Sequence, residues 1–351
     1  MSAIYGSPRP NSIAWIVREL AELVAGVRIP VRALAMKKTL AAILASFSVS
    51  CGQAYLPTPP PMPASQKPAP EALFVVGGDI GMCPEVNGGL NPAHSVVERT
   101  ASMIDEFRKD ERFDVKILAL GDLVYPYGDQ RSFMQCFEPT WGRHKSIMYP
   151  VPGNHEVMPE AGRPPYYETY FRDFIRANGG QTYYSFDADG WHFIGLDSNQ
   201  SLSDRSAQME WLRNDLSRNN RKCSVAYFHV PPFSSGPNNR AGGGVDDNTK
   251  RAWDVLVGNG VDLVFAGHEH YYERFSKRGA DRLEDPNGAR LVISGGSGAS
   301  LYDFSEYPGY QGDARIKENG LLLFRPGDGS YSLEYKSVSG AILDQVQDTC
   351  N

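Results

Sequence analysis

The 351-residue chain is short of the features that mark several protein classes. Its five cysteines, Cys51, Cys83, Cys136, Cys223 and Cys350, include no Cys-x-x-Cys pair, which argues against a zinc ribbon or a thioredoxin-like site. Positive charge is not in excess: 35 Lys/Arg stand against 41 Asp/Glu, and without residues 1–54 the balance is 29 against 39, a net charge of −10. A nucleic-acid partner held by a basic surface does not fit that balance. An anionic substrate would need a concentrated local positive charge, of the kind that bound metal ions supply. The apolar run Thr39–Val49 is too short to span a bilayer. Histidines number only seven, and there is no internal repeat. The 41% apolar and 22% charged content is that of a globular chain able to bury a sizeable core.

The N-terminal region divides by composition. Met36-Lys37-Lys38 followed by Thr39–Val49 is a basic segment and an apolar segment of signal-peptide proportions, predicting a signal over 36–54 and an exported protein, periplasmic, outer-membrane-anchored or secreted. Two cleavage sites fit: Gly52-Gln53-Ala54 for an ordinary signal peptidase, and Ser48-Val49-Ser50-Cys51, which resembles a bacterial lipoprotein box and would put a lipid anchor on Cys51. Residues 1–35 do not fit ahead of such a signal and stand as an extension; a helix from Ser12 to Leu34 is opposed by Pro30. Residues 55–71 read as an extended linker, with seven prolines between positions 56 and 70. Export would permit two disulfides among Cys83, Cys136, Cys223 and Cys350, with three connectivities open, and Cys350 placed to tie down the C-terminus.

Residues 72–351 form the predicted catalytic domain. Apolar runs at 72–78, 115–120, 147–151, 223–230, 261–267 and 290–294 read as buried strands. Helical spacing falls at 93–109, 167–177, 204–218 and 248–259, and 126–146 reads as irregular. Asp189-Gly190 between two apolar runs signals a hairpin, and 320–347 reads as antiparallel strands turning at Gly327-Asp328-Gly329. Strands alternating with helices, then late antiparallel strands, predict a layered α/β sandwich.

The chemistry lies where the strands stop. Asp79, Gly121-Asp122, Gly153-Asn154-His155-Glu156, His229 and Gly267-His268-Glu269-His270 each follow an apolar run directly. That repetition predicts one site at the carboxyl ends of several strands. Asp79, Asp122 and Tyr125 are hard oxygen donors, Asn154 offers a carbonyl oxygen, and His229, His268 and His270 offer imidazole nitrogens. Seven donors exceed what one four-coordinate zinc takes. They suit two ions sharing a bridging carboxylate, and Asp122 is placed to bridge.

Asp79-x-Gly81, Gly121-Asp122-x-x-Tyr125, Gly153-Asn154-His155-Glu156, Ala226-Tyr-Phe-His229 and Gly267-His268-x-His270 resemble the five motifs of the purple acid phosphatases, a branch of the calcineurin-like metallophosphoesterases. The resemblance runs over roughly residues 72–300 and implies a four-layer αββα sandwich. Gly81, where other branches carry His, and Tyr125 point to the purple acid branch. Position by position, it implies Fe(III) on Asp79, Tyr125 and His270, a divalent iron, zinc or manganese on Asn154, His229 and His268, and Asp122 as the bridge. It further implies hydrolysis of small phosphate monoesters as an acid phosphatase. His155 takes phosphate binding and protonation of the leaving oxygen, or else supports the site by hydrogen bonding; Glu156 orients its neighbours. Family members often carry another histidine after the fourth motif; Pro231–Asn248 has none, and Asn238 or Asn239 stands in as a neutral donor to substrate. A phosphodiesterase on the same metals, and an inactive phosphate- or metal-binding surface protein, are the alternatives.

Overall fold

The computed structural model describes residues 68–158, 164–238, 246–305 and 310–351. The signal segment, Cys51, most of the proline-rich linker and Asn239 lie outside these residues.

Two sheets carry the described part of the chain. In chain order the strands are β1 (Glu71–Gly77), β2 (Glu85–Val86), β3 (Gly89–Leu90), β4 (Phe113–Ala119), β5 (Met148–Pro150), β6 (Tyr184–Ala188), β7 (Trp191–Gly195), β8 (Cys223–Phe228), β9 (Leu263–Ala266), β10 (Tyr272–Arg278), β11 (Ala289–Ser294), β12 (Ala314–Ile316), β13 (Gly320–Gly327), β14 (Ser330–Ser337) and β15 (Ile342–Thr349). One sheet has the order β15-β14-β13-β1-β4-β5, the other β12-β10-β11-β9-β8-β7-β6, and β2 and β3 form a small hairpin apart. In each large sheet the central strands run parallel: β1, β4 and β5 in the first, β7, β8, β9 and β11 in the second.

The side-chain alternation of each strand sorts the core into layers. Phe74 and Val76 of β1 point inward to meet Val225 and Tyr227 of β8 and Phe265 of β9 between the sheets. Leu73 and Val75 point outward, beneath helix α1 (Val96–Lys109), against Val97, Ala101 and Ile104. Ala226 and Phe228 of β8 face outward onto helices α2 (Ala207–Arg218) and α3 (Asp247–Gly258), through Met209, Leu212, Trp253 and Leu256. The result is the expected four-layer αββα sandwich. Strands buried on both faces read as unbroken apolar runs because neither face meets water. Phe74 stacks on Phe193 with ring centroids 4.5 Å apart at the middle of the inner layer; truncating such a residue to Ala costs about 3–5 kcal/mol.

Several boundaries differ from the sequence reading for local reasons. Helix α1 begins at Val96 rather than 93, because Ser95 caps it by accepting the Glu98 N–H and His94 sits at φ 64°. Helix α2 begins at 207, capped by Ser206. The helix expected over 167–177 is broken into Tyr167–Tyr170 and Arg172–Ala177. The stretch 126–146 is not irregular throughout. It contains helical turns at Gln130–Ser132, Phe133–Phe137 and Trp141–Ile147, whose Phe133, Phe137 and Trp141 pack under the first sheet.

Disulfides join Cys83 to Cys136 and Cys223 to Cys350. The first pins these turns to the loop after β1; the second ties the C-terminus to the start of β8. The Asp189-Gly190 hairpin forms between β6 and β7, both residues at positive φ, as a tight hairpin turn demands.

Candidate metal centre

Five of the parallel strands deliver a polar side chain at their carboxyl ends, and the two sheets bring these ends together. Asp79 follows β1, Asp122 follows β4, Asn154 follows β5, His229 follows β8 and His268 follows β9. Backbone hydrogen bonds stitch the ends to one another: Asp79 N–H to the Gly121 carbonyl at 3.0 Å, and Gly267 N–H to the His229 carbonyl at 2.9 Å. Asp79, Asp122 and His268 all have positive φ, at 57°, 48° and 70°. Asp and His are among the few non-glycine residues that tolerate this region, at a cost of order 1 kcal/mol each. At Gly81 a Cβ would lie 2.2 Å from the Leu123 carbonyl oxygen, so the pairing of Gly81 with Val124 leaves no room for a side chain.

The donor atoms form two groups with one member in common. One donor atom each from Asp79, Asp122 and His270 lie within 4.8 Å of one another, as do those from Asp122, His229 and His268. Tyr125 joins the first group: its hydroxyl is 2.9 Å from Asp79 Oδ1, 3.0 Å from Asp122 Oδ2 and 3.0 Å from His270 Nε2. Asn154 joins the second, its Oδ1 3.0 Å from His229 Nε2. A third cluster, Cys223, Asp262 and Cys350, offers no comparable donor set, because both sulfurs are spent in the disulfide.

Backbone carbonyls orient two of the imidazoles. His229 donates Nδ1–H to the Leu120 carbonyl at 2.9 Å, and His270 donates Nδ1–H to the Ser300 carbonyl at 2.8 Å. In the neutral ring this aims the Nε2 lone pair inward. His229 Nε2 then faces Asp122 Oδ2 at 3.3 Å, and His270 Nε2 faces Asp79 Oδ1 at 3.3 Å. Acceptor is thus set against acceptor in a site where Asp79, Asp122 and His229 are essentially buried. Burying unpaired carboxylates costs several kcal/mol each. Cations among these atoms would turn that repulsion into attraction, so the donor set fits a pair of metal ions.

In the protein alone, protons respond to the crowding. Burial lowers the His229 pKa, but Asp122 and Asp79 outweigh it and lift it to about 9. Burial, then repulsion from His229, pulls His268 down to about 4. Burial would raise Asp122, yet His229 and His155 hold its carboxyl below the usual range. Burial followed by Asp79 and Asp122 pushes the Tyr125 phenol well above its ordinary value. A bound cation reverses this last effect by stabilising the phenolate.

His155 stands at the mouth, its side chain 25% exposed. Its backbone N–H donates to Asp122 Oδ1 at 2.9 Å. Glu156 is fully buried beneath it and accepts from the N–H groups of Leu123, Val124 and Gly153 at 2.8, 3.2 and 2.7 Å. It therefore fastens the second motif to the third, the orienting part expected of it. Burial, then Asp122, pushes its pKa up to about 8 against the pull of those N–H groups.

Asn238 lies on the far side, where its side chain donates to the His268 carbonyl at 3.1 Å. His192 sits in β7 between two carboxylates, and His144 is buried against α1, beside Arg108 and Ala101. Neither is near the donor cluster, and His94 is exposed on the loop before α1. Sequence reasoning missed Asn199 and Tyr302. Asn199 donates to the carbonyls of Pro152 and Gly153 at 3.1 and 3.2 Å and so supports the Asn154 loop. Tyr302 stacks on His270. The signal for Tyr302 was present: the loop after β11, Gly295-Gly296-Ser297-Gly298, repeats the glycine-rich strand endings of the site.

This fold, with acidic and imidazole donors converging at the strand ends, defines a class of metal-dependent phosphoesterases. Residues 73–272 match the calcineurin-like phosphoesterase family, and the chain belongs to it. The curated relatives it resembles include purple acid phosphatases. It is 28% identical to purple acid phosphatase 18 of Arabidopsis thaliana over 229 residues, covering 64% of this chain and 49% of that protein. It is 31% identical to purple acid phosphatase 22 of the same plant over 184 residues, covering 51% and 39%. The chain thus spans about half or less of the length of these relatives. Among solved structures, its fold is similar to the purple acid phosphatase PPD1 of yellow lupin, with TM-score 0.61, 18% identity and coverage of 80% of this chain and 54% of that one. It is also similar to GAP50, the anchor in the inner membrane complex of Plasmodium, with TM-score 0.57, 14% identity and coverage of 80% and 89%.

Proposed function

We propose that the chain hydrolyses small phosphate monoesters at a two-metal centre, as an acid phosphatase of the purple acid type. Asp79, Tyr125 and His270 would hold Fe(III), Asn154, His229 and His268 would hold a divalent iron, zinc or manganese, and Asp122 would be shared between them. The observation that carries this reading is the sharing of Asp122 between two donor groups, each completed by a further residue, Tyr125 or Asn154. Phenolate and carboxylate are hard anionic donors suited to a trivalent ion; an amide oxygen and two imidazoles suit a divalent one. When bound, such a pair polarises the phosphate and lowers the pKa of a coordinated water. The protein's own part is orientation: Leu120 and Ser300 fix the imidazoles, Glu156 fixes the Asn154 turn, and His155 reaches the mouth, where it binds phosphate and protonates the leaving oxygen.

Export accompanies this function. The two disulfides support an oxidising compartment, since such bonds persist there and are rare in the cytosol. Mass measurement of the mature N-terminus from the native host distinguishes lipidation at Cys51 from cleavage after Ala54.

The test of the activity compares an aryl phosphate monoester with a bis-aryl diester, using full-length protein assayed for metal content. Faster monoester turnover with two ions bound is expected. Preferential diester cleavage overturns the substrate assignment, and a fully metallated protein with neither activity overturns the enzymatic reading in favour of a binding role.

A further inference from the structure

Loops ending β8 and β11 grip the His268-Glu269-His270 turn from two sides. From the first loop, Asn238 donates its backbone N–H to Glu269 Oε1 at 3.0 Å and its side-chain amide to the His268 carbonyl at 3.1 Å. From the second, the Tyr302 N–H donates to the His270 carbonyl at 3.1 Å. The Tyr302 ring lies flat on the His270 imidazole, with centroids 3.9 Å apart and planes 12° from parallel. Two residues away, Ser300 takes the Nδ1–H of the same imidazole. The turn they grip needs holding, because His268 is at φ 70° and its two histidines must be aimed at different donor groups.

We infer that Asn238 and Tyr302 are a positioning pair that locks the His268-Glu269-His270 turn, with Tyr302 setting the ring plane of His270. This rests on the two-metal reading. It moves Asn238 from substrate binding to support of the metal ligands: its side-chain amide donates to the His268 carbonyl. A carbonyl acceptor on Nδ1 fixes the tautomer but leaves the ring free to rock about that hydrogen bond. A flat aromatic neighbour removes that freedom. Residues that support ligands from behind in this way change metal affinity about 10- to 100-fold when altered.

The experiment uses the full chain loaded with ferric iron and zinc, and follows metal retained against a chelator series together with the visible spectrum and the melting temperature of the metal-free form. Tyr302→Leu is expected to weaken retention of one of the two ions by about 10-fold or more, and to broaden or shift the tyrosinate-to-iron band. Tyr302→Phe keeps the stacked ring and is expected to retain both ions. Asn238→Ala is expected to weaken retention about 10-fold with an unchanged metal-free melting temperature. Should Tyr302→Leu fail to fold, Asn238→Ala decides the matter. Wild-type retention in Asn238→Ala, or in a folded Tyr302→Leu, overturns the pair. A wild type that binds fewer than two ions overturns the two-metal reading and the pair with it, whereas a two-metal wild type with indifferent variants overturns the pair alone.

Discussion

His155 donates its Nδ1–H to the Pro126 carbonyl at 2.6 Å, and this leaves Nε2 as the nitrogen turned toward the donor cluster, 3.7 Å from Asp122 Oδ2. A carbonyl can only accept, so the tautomer is set, and packing against Tyr125 at a ring distance of 4.4 Å sets the direction. His155→Ala is expected to lower kcat about 10²- to 10³-fold while both ions stay bound. Steady-state kinetics with metal analysis checks it, and turnover within twofold of wild type would remove His155 from the reaction.

Tyr125 touches Asp79, Asp122 and His270 through one oxygen. Tyr125→Phe deletes that oxygen and keeps the ring. The iron-loaded variant is expected to be colourless and to release iron more readily, as seen by visible absorption and chelator titration. A band that survives the substitution places the chromophore elsewhere.

Metal removal should uncover the cost of the crowded acceptors. A ligand that binds the folded state alone adds RT ln(1 + [L]/Kd), about 4 kcal/mol at a thousandfold excess over Kd. Chelator is therefore expected to lower the melting temperature by several degrees, with recovery graded by added zinc and iron. A melting temperature indifferent to both would contradict a metal centre at Asp79, Asp122 and His229.

The His192 ring faces Asp187 Oδ1 and Asp215 Oδ2 at 2.8 Å through its two nitrogens. Both nitrogens must donate, so the ring is an imidazolium. Burial pulls its pKa down, but Asp215 and Asp187 prevail and raise it above the ordinary 6.5. A raised histidine contributes its full stability below pH 6.5 and loses it as pH climbs through the folded-state value. His192→Gln is expected to cost about 2 kcal/mol near pH 5, with a gap that narrows toward alkaline pH. Melting curves across pH test this; a constant gap would show that the charge does not matter.

The Cys223–Cys350 bond closes a loop with a sequence separation of 127. Chain-entropy reasoning assigns such a closure about 3–5 kcal/mol. Cys350→Ser is expected to lower the melting temperature under oxidising conditions and to have little effect in reductant. The C-terminal strand β15 should show the largest rise in amide exchange, since Cys350 directly follows it.

Much of the site was legible because its residues sit where an apolar run stops at glycine, a pattern carried by single segments. Asp79, Asp122, Asn154, His268 and His270 are of this kind, and His229 ends an apolar run without a glycine. What was not legible depends on packing between segments. Tyr302 comes 32 residues after His270, and only the pairing of β11 beside β9 brings its loop back to that ring. The hydrogen bond from Asn238 to the His268 carbonyl was not legible for the same reason. The helical turns between 126 and 146 were hidden because prolines and glycines there suggested loops, while aromatic burial and the Cys83–Cys136 bond dictate the local conformation. Element boundaries moved wherever a serine cap lay inside an apolar-periodic stretch, as at Ser95 and Ser206.

The positive φ angles of Asp79, Asp122 and His268 set stability and chemistry against each other at the same addresses. Glycine or asparagine would rest more easily in that backbone, and a search for heat-resistant variants blind to turnover would be drawn to these positions. The chain would grow sturdier as it lost donor atoms of the candidate metal centre. His268→Gly makes the conflict measurable: its metal-free form is expected to melt no lower than the metal-free wild type, though it gives up an imidazole from one donor group.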